Sequence, residues 1–313
     1  MTSLQVFVLA IQWDILMTHW MSMKIGWIGT GVMGAPMAGH LQAAGHELFV
    51  YNRTSAKAQV LADVGATLCR SPREVAENAE IIFAIVGFPS DVEATILGPD
   101  GVLAGTREGS AVVDMTTSDP SLAKHIYKTA KAQGVDTLDA PVSGGDIGAR
   151  NATLAIMVGG DQSVFDRVKP LFETLGKNIA YMGPAGSGQH TKMSNQILIA
   201  GTMIGVVESL LYACKSGLDQ DAVISVIGSG AAGSWSINNL GPRIVQGDFD
   251  PGFYIKHFVK DMGIALAEAK QMNLVLPGLA LVNQFYEAAI EQGLADLGTQ
   301  GLYKVVEKLS QSE

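Results

Sequence analysis

Short apolar runs alternate with longer segments of helical periodicity from Lys24 onward, and this alternation restricts the folds open to the chain. Each run has the length of a buried strand, and each helical segment is long enough to cross back over a sheet. The first five runs are Ile25–Ile28, Leu48–Tyr51, Ile81–Val86, Ala111–Met115 and Thr137–Ala140. The clearest helical segments between them are Gly34–Ala44, Ser55–Asp63 and Ser121–Gln133. Strand, crossover and strand, repeated in this way, predict an α/β fold with a doubly wound parallel sheet.

The periodicity changes after Gly183, where a glycine-rich segment ends the alternating pattern. Before it, one more strand–helix–strand unit is predicted over Leu154–Val158, Gln162–Leu175 and Asn178–Tyr181. After it, only helices are predicted, over Gln189–Ser216, Asp221–Ile227, Phe253–Gln271 and Leu279–Gln292. The first of these is apolar on nearly every side, but its apolar run is too interrupted for a membrane span, so we expect a buried central helix. The chain therefore divides into an α/β domain, residues 23–185, and an all-helical domain, residues 186–313.

Residues 1–22 precede the first predicted strand and fit neither domain. The stretch Leu4–Trp13 is mostly apolar, but Asp14 interrupts it, and no Lys or Arg occurs before Lys24. A secretory signal needs a basic start, and a membrane span needs a longer apolar run. We expect residues 1–22 to be an N-terminal extension outside the two domains.

The charge balance argues against two classes of partner. The net charge is −9 with an isoelectric point near 5.1, and no run of four Lys or Arg residues occurs. Binding to a nucleic acid or to an anionic membrane needs such a basic cluster, so neither partner is expected. Cys69 and Cys214 are far apart and lack a CxxC or histidine neighbour. We therefore expect no disulfide, no metal and a reducing, cytoplasmic location.

A glycine-rich motif lies between the first predicted strand and the first predicted helix. It reads Gly29-Thr30-Gly31-Val32-Met33-Gly34. In a dinucleotide-binding turn, Gly29 makes the sharp bend, Gly31 lets a pyrophosphate approach the backbone, and Gly34 packs the helix on the strand. The phosphates then meet the N–H groups at the helix start. The motif predicts dinucleotide binding; the alternative is a glycine turn with a structural purpose alone.

The end of the second strand bears on which dinucleotide is bound. It reads Asn52-Arg53-Thr54, where an NAD-binding site usually has an acidic residue for the ribose 2′-hydroxyl. Asn52 has no charge to repel a 2′-phosphate, and Arg53 can pair with one. NADP is therefore favoured over NAD, the alternative being that Arg53 is an ordinary surface residue.

Three further motifs follow the glycine-rich one in order. They are Asp139-Ala140-Pro141-Val142-Ser143-Gly144-Gly145, Gly186-Ser187-Gly188-Gln189-His190-Thr191-Lys192-Met193-Ser194-Asn195 and Lys260-Asp261-Met262-Gly263-Ile264-Ala265. With them, the chain from about Met23 onward resembles the β-hydroxyacid dehydrogenases, a family that includes 3-hydroxyisobutyrate dehydrogenase, tartronate semialdehyde reductase and glyoxylate/succinic semialdehyde reductases. The resemblance implies a Rossmann-type domain followed by an all-α domain, and a homodimer or homotetramer. It also implies NAD(P)-dependent interconversion of a small 3-hydroxy acid and its semialdehyde.

The resemblance implies that Lys192 is the catalytic acid/base and that Asn195 helps to hold the lysine and the substrate. Residues three apart share one side of a helix, so both side chains can reach one ligand. Burial in an apolar helix lowers the pKa of a lysine toward a range where it exchanges protons. A lysine at a frayed first turn, in water, is the alternative reading of the same residues.

The resemblance also implies that Ser143, Gly144 and Gly145 bind the carboxylate of the substrate. A serine and two glycines after a strand offer a hydroxyl and unhindered backbone N–H groups, which suit an anion. A plain loop after a strand is the alternative. The implied substrate is thus a small hydroxy acid or aldehyde that bears a carboxylate.

The implied cofactor contacts come from four further residues. Lys260 matches a lysine near both nicotinamide and substrate, and Thr117 matches a cofactor contact. Val86 and Gly87 lie where the backbone of the family lines the cofactor cleft, although the Leu-Pro usual at that place is absent. From the residues alone, Lys260 and Lys256 also fit a solvated helix face.

Three other functions compete with this one. 6-Phosphogluconate dehydrogenase has a similar fingerprint and lysine motif but a far longer helical domain. Imine reductases replace the lysine, which is present here as Lys192. A non-catalytic nucleotide-binding scaffold is the third alternative, against which Lys192 and the acidic isoelectric point both count. Fold analogy does not separate these functions, so the site residues must do so.

Overall fold

The computed structural model describes residues 22–310. The described chain forms two compact units, which divide between Gln189 and His190. The predicted division after residue 185 lies four residues earlier. The predicted extension, residues 1–22, falls outside the described residues except for Ser22.

Among the residues that the structure describes, the first unit contains nine strands in one sheet. The strands are β1 Lys24–Ile28, β2 Glu47–Tyr51, β3 Thr67–Leu68, β4 Ile81–Ala84, β5 Ala111–Asp114, β6 Asp136–Asp139, β7 Val142–Ser143, β8 Leu154–Gly160 and β9 Gly176–Gly183. The first six are parallel and lie in the order β3-β2-β1-β4-β5-β6. This order reverses next to β1, as in dinucleotide-binding sheets. The predicted doubly wound α/β fold is confirmed.

The second part of the sheet is not all parallel. Strand β8 runs antiparallel to both β6 and β7, while β9 returns parallel to β8. Only one short helix, Gly145–Arg150, lies between β7 and β8. A parallel return needs a crossover of about a dozen residues or more. The connection between β7 and β8 is shorter than that, so the two strands are antiparallel.

Of the helices in the described part of the chain, seven belong wholly to the first unit. They are α1 Gly34–Ala43, α2 Ala56–Ala62, α3 Pro72–Asn78, α4 Pro89–Leu97, α5 Pro120–Lys131, α6 Gly145–Arg150 and α7 Gln162–Glu173. The six-residue helix α6 was not predicted, and neither were α3 and α4, which have seven and nine residues. The start signals of α3 and α4 are nevertheless in the sequence. Pro72 follows the N-cap Ser71, whose hydroxyl accepts the Glu74 N–H, and Pro89 begins α4.

The core of the first unit lies on both faces of the sheet. On one face Trp27 stacks on Phe83, with ring centroids 5.5 Å apart, and Phe172 meets Phe83 edge to face. The opposite face is filled mainly by aliphatic side chains, among them Ile82 and Val112. A sheet covered on both faces requires continuously apolar strands, which is the pattern that the sequence shows.

The second unit is entirely helical in the residues described. The helices are α8 Ser187–Lys215, α9 Gln220–Ile227, α10 Trp235–Asn239, α11 Gly241–Val245, α12 Ile255–Gln271, α13 Pro277–Glu291 and α14 Leu302–Leu309. The first turn of α8 belongs to the first unit, and the rest of the helix belongs to the second. Side chains of α8, α12 and α13 form one apolar cluster, in which Phe258 packs edge to face on Tyr286. The predicted all-helical domain is confirmed.

Helix α8 meets the length and hydropathy criteria of a membrane span. It has 29 residues, and its most apolar 18-residue window has a mean hydropathy of 1.9. The apolar run of α8 is therefore long and continuous enough for a membrane span, and the expectation that it is too interrupted was wrong. The helix also carries a buried lysine and a buried glutamine, Lys192 and Gln196, which are costly in lipid, and its Met203 and Val207 lie in the apolar cluster. These features favour a helix of a folded domain over a membrane span. The predicted burial is nevertheless incomplete, because only 39 % of that window is buried and Leu198 and Tyr212 are exposed. The absence of a membrane partner stays a prediction.

Candidate active site

The glycine-rich loop connects β1 to α1 in the first unit. Gly29 has a φ of +93°, and a Cβ atom there would lie 2.0 Å from the carbonyl oxygen of Ile85. A Cβ atom on Gly34 would lie 1.9 Å from the carbonyl oxygen of Gly29. On Gly31, by contrast, a Cβ atom would meet nothing within 4 Å. Close packing thus requires the first and third glycines, while the middle one borders open space.

This loop fits a dinucleotide. Val32 is exposed. At the start of α1 the Ala35 N–H already donates to the carbonyl oxygen of Gly31 at 3.0 Å, so a phosphate would meet the N–H groups that precede it, at the end of the loop. The hydroxyl of Thr30 is buried and has no hydrogen-bond partner among residues 22–310. The open space at Gly31 lets a pyrophosphate reach the backbone.

The segment after β2 is connected to the glycine-rich loop. The Oδ1 atom of Asn52 accepts the Thr30 N–H at 2.9 Å, and its Nδ2 atom donates to the carbonyl oxygen of Thr54 at 3.0 Å. Asn52 therefore fixes both turns at this end of the sheet. The Arg53 side chain is 84 % exposed and donates from Nη1 to Oδ1 of Asp91 at 3.0 Å. The sequence did not single out Asp91.

A hydrogen bond also connects the segments that follow β4 and β5. The Val86 N–H donates to Oγ1 of Thr116 at 3.0 Å, so the predicted strand Ile81–Val86 leaves the ladder after Ala84. Val86, Gly87 and Thr117 all follow the carboxyl ends of parallel strands. This edge, beside the point where the strand order reverses, is where open α/β sheets bind ligands.

The Ser143–Gly145 segment is the end of a strand and the start of a helix. Ser143 is the last residue of β7 and pairs with Ala155, and helix α6 begins at Gly145. Gly144 and Gly145 have φ angles of +133° and +61°, a region that favours glycine. Successive backbone N–H groups in such a turn form a concavity that suits an anion.

A buried polar network follows β6. Its members Asp139, Gly186 and Gln189 lie in the sequence motifs, but no function was predicted for them from the sequence. The carboxylate of Asp139 accepts the N–H groups of Gly186 at 2.7 Å and Gln189 at 2.9 Å, at the start of α8. The Gln189 amide donates to the carbonyl oxygen of Thr116 at 2.7 Å and accepts the Ser118 N–H at 2.9 Å. Burial raises the pKa of Asp139 to about 6, against the opposing effect of these backbone hydrogen bonds. The network joins the segments after β5 and β6 to the start of α8.

In the second unit, three of the predicted site residues share one polar cluster. Lys192 on α8 is 6 % exposed. Lys260 Nζ lies 3.0 Å from Oδ1 of the buried Asp261, an electrostatic contact rather than an aligned hydrogen bond. The Gln196 amide donates to the other oxygen of Asp261 at 2.6 Å and accepts from Asn195 at 2.6 Å.

Burial controls the acidity of Lys192. It lowers the pKa of this lysine to about 8; Asp261 opposes that effect, and Lys260 adds to it. A free lysine has a pKa near 10.4, so it gives up its proton too reluctantly to act as a base near neutral pH. At pH 7 to 8, both forms of Lys192 are accessible, which an acid/base catalyst requires.

Two members of this cluster, Gln196 and Asp261, were not predicted from the sequence. Asp261 directly follows Lys260 in the quoted motif, and Gln196 lies one helical turn after Lys192, so both signals were present. The missing information was that both side chains are buried. A buried carboxylate needs partners, and here Lys260 and Gln196 provide them.

No group of three or more His, Cys, Asp or Glu side chains suited to a metal ion occurs among residues 22–310. Metal-independent catalysis stays a prediction.

Comparison with known proteins identifies the family. Residues 24–183 match the family model described as the NAD-binding domain of 6-phosphogluconate dehydrogenase. Residues 186–306 match the model described as NAD-binding of NADP-dependent 3-hydroxyisobutyrate dehydrogenase. The second match separates the chain from 6-phosphogluconate dehydrogenase itself.

Individual relatives cover nearly all of the domains. The Arabidopsis thaliana protein described as probable 3-hydroxyisobutyrate dehydrogenase-like 1, mitochondrial, is 53 % identical over 92 % of this chain and 86 % of its own. The 2-hydroxy-3-oxopropionate reductase of Escherichia coli is 40 % identical over 92 % of this chain and 98 % of its own. The structure of Mycobacterium tuberculosis 3-hydroxyisobutyrate dehydrogenase with L-serine is 30 % identical, with a TM-score of 0.82 over 92 % of this chain and 99 % of that one. The chain therefore belongs to the β-hydroxyacid dehydrogenase family, whose members are NAD(P)-dependent oxidoreductases that act on the CH–OH group of small 3-hydroxy acids.

Proposed function

We propose that this enzyme interconverts a small 3-hydroxy acid of the 3-hydroxyisobutyrate type and its semialdehyde, with NADP favoured over NAD. The observation that carries the proposal is the burial of Lys192 beside Asp261 and Lys260, with a pKa of about 8. Burial of a lysine side chain destabilises a helical core, so its presence there indicates a function.

The proton steps follow from this cluster. A bound nicotinamide donates or accepts the hydride. Lys192 removes the hydroxyl proton during oxidation and returns a proton to the carbonyl oxygen during reduction. Asp261 raises the pKa of Lys192 against the effect of burial, and thus keeps the charged form accessible. Gln196 holds the carboxylate of Asp261 through a 2.6 Å hydrogen bond.

The residues of the first unit support the cofactor and substrate assignments. We propose that Gly29–Gly34 hold the pyrophosphate, that Asn52, Arg53 and Thr54 meet the 2′-phosphate, and that Val86, Gly87 and Thr117 line the nicotinamide side. Lys260 in the second unit is proposed to contact cofactor and substrate. The turn at Ser143–Gly145 is proposed to bind the substrate carboxylate. Its hydroxyl and glycine N–H groups make charge-assisted hydrogen bonds, which are roughly twice as strong as neutral ones.

A substrate panel tests the function. Oxidation of 3-hydroxyisobutyrate, and reduction of tartronate semialdehyde, succinic semialdehyde and glyoxylate, are followed through the nicotinamide absorbance with NADPH/NADP+ and with NADH/NAD+. We expect the highest kcat/KM with the 3-hydroxyisobutyrate pair. Isobutyraldehyde, which has no carboxylate, is expected to react about tenfold to a hundredfold less efficiently, because it forgoes the charge-assisted contacts. Comparable efficiency with isobutyraldehyde would show that the enzyme does not recognise the carboxylate of its substrate.

The pH dependence has opposite signs in the two directions. Reduction needs protonated Lys192, so kcat/KM is expected to be constant below about pH 8 and to fall above it, since the pKa of Lys192 is about 8. Oxidation needs the neutral amine, so kcat/KM is expected to rise up to the same pH and then level. Initial rates in both directions from pH 6 to 10 check this, and an inflection absent from either profile contradicts the assignment.

Replacing Ser143 with alanine is expected to raise KM for the hydroxy acid about tenfold and to change kcat less than threefold. The reason is that the hydroxyl contributes to binding of the carboxylate in ground and transition states alike. Ser163→Ala, an exposed serine in the first turn of α7, serves as the matched control. An equal rise of KM for isobutyraldehyde in Ser143→Ala would show that the loop does not read the carboxylate.

A further inference from the structure

The carboxylate of Asp91 lies against the arginine that we assign to the 2′-phosphate. Asp91 is the third residue of α4, and its Oδ2 atom accepts the Phe88 N–H at 3.2 Å, which closes the start of that helix. Its Oδ1 atom accepts from Arg53 Nη1 at 3.0 Å. Asp91 is thus held by the backbone.

The contact between Asp91 and Arg53 uses one donor atom and one acceptor atom. The Arg53 side chain is 84 % exposed and that of Asp91 is 26 % exposed. A single Nη1–H points at a single oxygen, whereas a bidentate pair would use two parallel donors. The guanidinium group therefore keeps donors for a second anion.

We propose that Asp91 determines cofactor specificity by limiting the attraction of Arg53 for the 2′-phosphate. The proposal rests on the NADP preference argued above. A 2′-phosphate carries nearly two negative charges and would share one guanidinium group with the Asp91 carboxylate. Like charges repel, so Asp91 weakens binding of NADP+ and leaves NAD+, which has no such charge, almost unaffected.

The alternative effect of Asp91 is to pre-organise Arg53, which would favour NADP+. An exposed ion pair orders its side chains weakly, and most such pairs contribute little. Repulsion between a carboxylate and a dianion several ångströms apart in water corresponds to about a fivefold change in a dissociation constant. The repulsive effect is therefore the larger one.

The test is the ratio of dissociation constants for NADP+ and NAD+ in the whole enzyme, measured by titration calorimetry, with 2′,5′-ADP and 5′-AMP as shorter probes. Asp91→Asn keeps an oxygen for the Phe88 N–H and removes the charge. It is expected to lower the dissociation constants of NADP+ and 2′,5′-ADP by about threefold to tenfold. The dissociation constants of NAD+ and 5′-AMP are expected to change by less than about twofold. Asp91→Ser, which also keeps an oxygen acceptor, is expected to give the same sign if the asparagine variant does not fold.

A matched control and salt dependence complete the experiment. Glu93→Gln removes the same charge from an exposed residue of α4. It is expected to change the ratio of dissociation constants by no more than about twofold, both for NADP+ against NAD+ and for 2′,5′-ADP against 5′-AMP. The advantage of Asp91→Asn is expected to shrink in about 1 M salt, where screening shortens the reach of charges to about 3 Å. An unchanged ratio, an equal change for both dinucleotides, or weaker NADP+ binding would overturn the proposal.

Arg53→Leu separates this inference from the proposed cofactor preference. If Arg53→Leu lowers the NADP+ preference while Asp91→Asn leaves it unchanged, only the function of Asp91 is refuted. If Arg53→Leu leaves the preference unchanged, Arg53 does not bind the 2′-phosphate, and both proposals fail.

Discussion

Replacing Lys192 with methionine is expected to lower kcat in both directions by about 10²–10⁴-fold, the usual contribution of a positioned acid/base. Methionine has a similar length and no proton to exchange. Dissociation constants of NADP+ are expected to stay within threefold, because the proposed phosphate contacts all lie in the other unit. Steady-state rates and calorimetric titration of the same preparation measure the two quantities.

The same variant is expected to keep or gain thermal stability at pH 7. Folding lowers the pKa of Lys192 to about 8. Below that pH the lysine is charged in the folded state, and keeping it charged there lowers the free energy of unfolding by roughly 3 kcal/mol. Methionine removes this cost, so the melting temperature should not fall. A variant that loses turnover together with its fold would show Lys192 to be structural.

Lys215→Met is the matched control for Lys192→Met. Lys215 is the exposed last residue of the same helix, α8. We expect it to retain turnover within twofold of the wild type. Near-normal turnover in Lys192→Met itself would exclude the proposed proton transfer.

The double change Asn52→Asp and Arg53→Leu is expected to reverse the cofactor preference. The proposed charge-assisted contact of Arg53 with a 2′-phosphate would account for about a tenfold to hundredfold preference for NADP. Aspartate at position 52 still accepts the Thr30 N–H, which Asn52 now accepts at 2.9 Å, so the glycine-rich loop should keep its form. Its charge repels the phosphate and accepts from the 2′-hydroxyl of NAD.

The measured quantity is the ratio of kcat/KM with NADPH to that with NADH, and the change should come mainly from KM for the cofactor. Arg70→Leu is the control, since Arg70 is also exposed and paired with a carboxylate, Glu74, in the same unit. A wild-type enzyme that already prefers NADH would show Arg53 to be an ordinary surface residue.

Much of the fold follows from local patterns in the sequence. The apolar runs at Leu48 and Ala111 predicted strands within about a residue of their observed starts, because a strand buried on both faces must be apolar throughout. The tight packing at Gly29 and Gly34 and the open space at Gly31 agree with the predicted glycine turn, while dinucleotide binding by these residues stays a prediction. Several short elements were not predicted, among them helices α3, α4 and α6.

The direction of β8 and the partners in the site required the folded chain. Periodicity reports which face of an element is apolar, but not the direction in which the next strand enters the sheet. The sequence indicated Lys192 and Lys260 through motifs, whereas the burial that lowers the pKa of Lys192 depends on packing. Gln196 meets Asp261 from 65 positions away, and Arg53 meets Asp91 from 38. Such contacts between distant side chains are set by how helices and strands pack, and no local pattern in the sequence records them.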